Sequence, residues 1–242
     1  MHYINKIRNP IPPLNSNYLY LVINLLCIFF PVLLSFYSKA PFYKKWKGVS
    51  IAILVSGIFF IAWDEIFTRL GIWGFNTRYI MGWQLGSLPI EEIMFFIAVP
   101  YACVFTYFLL KDVSQKNYYF PRHELLSYGL IVAMLITGIY NLEKAYTSIT
   151  LVSTAFFLAF LTLKVRARYL GNFYVAFCFI FIPFVIMNGI LTGMFIEEEV
   201  VWYNNEAILG MRLGTIPVED IFYAMFLMLM NIAIYERVQA RT

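Results

Sequence analysis

Apolar residues gather into seven segments separated by short polar stretches: 18–38, 49–70, 89–110, 125–142, 146–163, 170–192 and 217–235. A helix rising 1.5 Å per residue needs about 20 residues to cross a hydrocarbon core of about 30 Å. The pattern therefore predicts an all-α integral membrane protein of about seven transmembrane helices. Only Glu143 and Lys144 are charged between the fourth and fifth segments, which predicts an antiparallel helical hairpin. Pro31, Pro100 and Pro183 fall inside spans, where packed membrane helices tolerate the kinks they cause.

The pattern also repeats. Leu85-Gly86-Ser87-Leu88-Pro89-Ile90-Glu91-Glu92 returns as Leu213-Gly214-Thr215-Ile216-Pro217-Val218-Glu219-Asp220, at an offset of 128 in every column. Each copy leads into an apolar span. Upstream, Asp64-Glu65-Ile66-Phe67-Thr68 aligns with Asn188-Gly189-Ile190-Leu191-Thr192 at an offset of 124. A four-residue insertion around Glu197–Glu199 restores the larger offset by Asn76 and Asn204. The chain divides into a three-helix repeat with an N-terminal tail (1–110), a connector helix (111–142) and a second three-helix repeat (143–242). One connector keeps the halves parallel, related by a pseudo-two-fold axis along the membrane normal.

Composition agrees with membrane residence. Apolar residues make up 61% and charged residues 13%, and mean hydropathy is +0.71. Cys27, Cys103 and Cys178 each lie in an apolar run, a setting that suggests neither a disulfide framework nor a metal knot. Lys6, Arg8, Pro10, Pro12 and Pro13 precede the first span, which lacks a cleavage pattern and reads as an anchor. Of the 18 Lys and Arg, 12 fall in the first, third and fifth loops and the C-terminus. The positive-inside rule then places the chain in the cell membrane with its C-terminus cytoplasmic and its N-terminus outside. Both Pro-x-acid-acid motifs would open their helices from the outer side. The net charge of +4 is spread over loops and reads as topology, not nucleic-acid binding.

The acids carry the candidate chemistry. Proline in a first helical turn, with acids complementing the helix dipole, is an ordinary helix start. Duplication of the whole motif argues for more, as does Asp64, about a turn and a half inside the preceding span. A carboxylate at that depth costs several kcal/mol unless paired, protonated or facing water. Burial favours the protonated form of a carboxyl, the form that can donate a proton. Glu197–Glu199 read as a solvated loop face, and Asp112, Glu124 and Glu236 as ordinary loop or terminal charges. His2 and His123 cannot supply the clusters of a di-iron oxygenase. No nucleotide-binding G-x-G-x-x-G follows a strand, no paired Asp-rich motif for magnesium occurs, and the seventh span lacks a retinal-type lysine. Acid–base chemistry on a lipid-soluble molecule remains, with aromatic faces to stabilise a cation.

With its duplicated Pro-x-Glu-[Glu/Asp] helix mouths and an acid–aromatic helix end upstream, the chain resembles the membrane-integral lycopene cyclases, in the fused form of the bacterial two-subunit enzymes. The resemblance implies cyclisation of the linear end groups of a carotenoid without net redox change, here lycopene ends closing to β rings on loss of the C6 proton, or to ε rings on loss of the C4 proton, with neither cofactor nor metal. It implies membrane lipid and a lipid-soluble carotenoid as partners, with association with other carotenoid-pathway enzymes a further expectation. Carried over by motif, Glu91, Glu92, Glu219 and Asp220 are the expected acid–base residues, supported by Asp64. Trp63, Trp83, Phe95, Phe96 and Tyr223 are candidate cation-facing or substrate-binding aromatics, with Asn188 and Arg212 as polar partners. The second half departs from the first where Asn188-Gly189 replaces Asp64-Glu65 and Arg212 replaces Gln84. A carotenoid hydratase, a cyclase of C50 end groups and a small-solute transporter with the same three-plus-one-plus-three layout stay open as alternatives.

Overall fold

The structure, a computed structural model, describes residues 16–116 and 118–241. The tail with Lys6 and Arg8, and its assignment to the outside, lies outside these residues. Among the described residues seven α-helices run in chain order: α1 Leu19–Leu34, α2 Trp46–Arg69, α3 Ile90–Phe108, α4 His123–Tyr140, α5 Ala145–Ala159, α6 Leu170–Leu191 and α7 Val218–Gln239. π-helical turns, Leu109–Val113 and Phe160–Val165, extend α3 and α5. Six helices, so extended, are long and apolar enough to cross a membrane, whereas α1 has 16 residues. α1 stops short of its apolar segment at Ser35, whose hydroxyl turns back to the Pro31 carbonyl at 2.6 Å and meets the Tyr101 hydroxyl at 2.6 Å.

The repeated motif is built differently from the expected helix start. Gln84–Leu85 (β2) and Leu88–Pro89 (β3) pair as a two-residue hairpin, and Arg212–Leu213 (β5) with Ile216–Pro217 (β6) repeats it. Only a residue free of Cβ strain suits the first loop position of such a turn, and Gly86 (φ 66°) and Gly214 (φ 64°) fill it. Pro89 therefore closes the hairpin in extended conformation (φ −66°, ψ 152°), and the helix begins one residue later. Proline suits that place because it fixes φ and has no N–H to leave unpaired.

Trp73–Phe75 (β1) and Val201–Tyr203 (β4) form the link between the halves. They pair antiparallel as Trp73 with Tyr203, Gly74 with Trp202 and Phe75 with Val201. The offset of 128 carries Trp73 to Val201 and Phe75 to Tyr203, so the ladder maps onto itself. The pseudo-two-fold axis passes through the Gly74–Trp202 pair. Glycine is needed there, since a Cβ on residue 74 would sit 2.3 Å from the Trp202 ring. The insertion that restores the offset supports this link, because Glu197 bonds Arg78 at 2.6 Å and Glu198 accepts from Asn76. Those glutamates are surface residues, but they tie the halves together and are more than a solvated face.

The hairpins and the β1–β4 ladder lie at one end of the bundle, here the acid end. At the opposite, basic end, Glu236 accepts from Tyr107 at 2.6 Å and pairs with Lys111. Glu236 is thus a half-buried fastener between α3 and α7, not the plain terminal charge its sequence position suggested. Between the ends, buried residues including Phe42, Val104, Leu158, Phe173 and Ile232 form the main core.

Overpacking a tight contact costs about 1–3 kcal/mol. Gly74→Ala should lower the thermal midpoint of the detergent-solubilised protein, measured by circular dichroism. Gly57→Ala, with nothing within 4 Å of the added carbon, should leave it unchanged or raise it.

Candidate active site

A cavity of about 670 Å³ starts beneath the β1–β4 ladder and runs toward the basic end. Its roof includes Trp73, Phe75, Val201 and Tyr203, and its walls come from α1, α3, α6 and α7. Three carboxyls face it: Asp64, Glu92 and Asp220. All three are buried, and among the described residues no lysine or arginine lines the cavity.

The geometry of the helix start sorts the paired acids. Adjacent residues on a helix point about 100° apart, so one acid of each pair faces the cavity and the other turns into the protein. Glu91 accepts the Met81 N–H at 2.7 Å, and Glu219 accepts the Leu209 N–H at 2.7 Å. These are the same bond 128 residues apart, each fastening a loop to the helix it precedes. Glu219 also accepts from Thr147 at 2.5 Å. The second oxygen of each, Glu91 Oε2 and Glu219 Oε2, is buried without a partner.

The second acids receive tyrosines from the first turns of α1 and α5. Tyr20 donates to Glu92 at 2.5 Å, and Tyr146 donates to Asp220 at 2.6 Å. Beyond that the halves diverge. Asp220 accepts two further bonds, from Asn188 at 2.7 Å and Tyr203 at 2.9 Å. Burial pushes the Tyr203 hydroxyl well above the usual tyrosine range, and the Asp220 carboxyl reinforces this, so Tyr203 stays a donor. In the first half Asp64 takes the position of Asn188. Its carboxyl lies within hydrogen-bonding reach of Glu92 and accepts from Tyr223 at 2.6 Å.

The other sequence candidates separate cleanly. Phe95, Asn188 and Tyr223 line the cavity. Phe96 is buried behind it, stacked on Phe60, and Trp63 packs edge-on against Tyr223. Trp83 is 73% exposed at the start of the hairpin. Arg212 lies on the exposed second hairpin, 5.9 Å from the Tyr203 ring, and donates to the Thr215 carbonyl. The structure brings none of these four, Phe96, Trp63, Trp83 and Arg212, to the cavity lining. Sequence reasoning passed over Tyr20, Tyr146 and Tyr203. The available signal was a tyrosine opening the first span of each repeat.

Polar groups converge at the acid end, and the remaining wall is almost entirely apolar. Trp73, Phe75, Phe95 and Tyr223 line the same cavity as the carboxyls. Such a chamber can protonate an apolar double bond, hold a carbocation against ring faces and take a proton back.

A family model described as lycopene cyclase matches the chain in two segments, residues 17–110 and 143–238, well over half of its length. Among curated relatives, the bifunctional lycopene cyclase/phytoene synthase of Pyrenophora tritici-repentis is 36% identical over 84 residues, 35% of this chain and 14% of that protein. Its namesake from Aspergillus oryzae is 32% identical over 72 residues, 29% of this chain and 12% of the relative. That of Podospora anserina is 28% identical over 132 residues, 49% and 22% of the two chains. The chain thus spans between 12% and 22% of the length of these relatives. No solved structure matches it. The two matched segments contain the two halves that the repeat and its ladder define, and on that match the chain belongs to the lycopene cyclase family.

Proposed function

We propose that the chain cyclises the linear end groups of lycopene to β rings, with Asp64 and Glu92 together as the acid and Asp220 as the base. The observation that supports this division is the replacement of Asn188 by Asp64 at equivalent places. Three buried carboxylates without a cation would each carry a desolvation penalty of several kcal/mol. Asp220 offsets its penalty through three donors, since hydrogen bonds to a charged group contribute about 1.5–3 kcal/mol each. In the first half, an amide hydrogen is missing from the place where Asn188 has one. The contact between Asp64 and Glu92 is attractive only when the pair holds a proton.

In this reading the pair protonates C2 of the terminal C1=C2 bond. The C5=C6 bond attacks the C1 cation and closes a six-membered ring with charge at C5. Asp220 accepts the C6 proton, and the C5=C6 double bond reforms. One proton enters and one leaves, so substrate and product are isomers and the step is redox-neutral. Tyr20, Tyr146, Tyr203 and Tyr223 orient the carboxyls, and the ring faces stabilise the cation. Glu91 and Glu219 hold the loops against α3 and α7.

The Lys and Arg asymmetry supports placing the acid end outside the cytoplasm. A cysteine introduced at Glu198 into a chain lacking Cys27, Cys103 and Cys178 should react with an impermeant maleimide in intact cells. Reaction only after permeabilisation would reverse the orientation.

In a lycopene-producing host, with pigment turnover normalised to membrane protein level, Asp64→Asn, Glu92→Gln and Asp220→Asn should each lower ring formation by about 10²- to 10⁴-fold. Glu91→Gln and Glu219→Gln keep an acceptor oxygen for the loop N–H and should retain most activity. Near wild-type turnover in all of the first three variants would overturn the assignment.

A further inference from the structure

The two halves share one chamber, but among the described residues the apolar groove leading to it is lined by α1 and α6 and not by their counterparts. α1 and α6 line it along their length, from Tyr20 to Pro31 and from Phe177 to Leu191. Their counterparts α5 and α2 contribute one residue each, Tyr146 and Asp64, both at the acid end. The offsets show what fills the missing groove. Cys103 and Ile180 face open space in the first groove. Their equivalents are Asn231 and Ser56, fully buried and hydrogen-bonded at 2.9 Å. Phe184 lines the first groove, whereas its equivalent Phe60 is fully buried between Phe226, at 5.2 Å, and Phe96.

The open groove extends along α3 from Glu92 to Thr106, about 20 Å at 1.5 Å per residue. It also opens sideways. Leu26, Phe30 and Ile186 line it while being 62%, 60% and 59% exposed on the membrane-facing flanks of α1 and α6. A polyene can enter from the lipid with one end at the carboxyls and the remainder lying in the groove and beyond it.

Resting on the cyclase reading, we infer that this chain cyclises one end group per encounter and releases a one-ring carotenoid into the membrane, where it must rebind end for end to gain a second ring. A rigid conjugated chain cannot fold back to bring its second end to the same carboxyls. The closed counterpart groove offers no other approach. The substrate class follows: any polyene with one linear end, whatever its other end, since the far end is not read at the carboxyls.

The test uses the full chain in liposomes with radiolabelled lycopene and a tenfold excess of unlabelled one-ring carotenoid. The expected result is label accumulating in the one-ring pool, with label in two-ring product falling about tenfold relative to a reaction without the excess. Label that stops at the one-ring stage supports the same conclusion. Undiluted label passing straight into two-ring product would overturn it. Absence of any ring would overturn the cyclase reading and this inference with it. As a second arm, Ala102→Trp, which fills the groove, should abolish both ring closures, whereas Ser56→Ala, on the closed side, should retain them. Continued formation of either ring by Ala102→Trp at the wild-type rate would reveal another approach and refute the single groove.

Discussion

Three carboxyls buried around an apolar cavity, with no cation among the described residues of its walls, form the constraint on which the rest of the structure depends. Desolvation at such a place is large enough that charge must be limited and each remaining charge must be fully hydrogen-bonded. The fold meets this with tyrosines from the first turns of two helices and from one ladder strand, and with one amide. The hairpins set the helix starts so that one acid of each pair turns to the cavity. The other fastens the loop above it.

Duplication gives the molecule two similar halves, and substitution makes them unequal. At one place the second half has an amide, Asn188, where the first has a carboxyl, Asp64, so a fixed donor stands opposite a group that donates only when it holds a proton. At another, Ser56 and Asn231 close a groove that Ile180 and Cys103 leave open. In the proposed reading the first difference separates acid from base, and the second leaves the polyene one way in. Neither needs a rearrangement of the backbone. Both arise from side chains at equivalent positions on a shared scaffold.

Much of this was legible in the sequence for physical reasons. Membrane helices declare themselves by length and apolarity, and the repeated motif declared the halves. The relation of Asp64 to Asn188 was readable from the offset alone. The division between Glu91 and Glu92 was not, because it depends on the helix starting one residue after Pro89. Trp83 was misleading because proximity in sequence to the acids is not proximity in space, and the hairpin turns it outward. Tyr20 and Tyr146 are easy to pass over, since a tyrosine at the end of an apolar span commonly marks the membrane surface. The tie of Glu236 to Tyr107 joins residues 129 apart, and no local pattern signals it.

The division of labour among the carboxyls is tested most directly by isotope exchange in deuterated water, reading both product and recovered lycopene by mass spectrometry. The wild type should place one deuterium at C2 of each ring formed. Asp220→Asn keeps the acid pair and lacks the base, so its recovered lycopene should gain deuterium at C2 with little ring formed. Asp64→Asn should give neither ring nor exchange. The reverse pattern, exchange in Asp64→Asn and none in Asp220→Asn, would contradict the account.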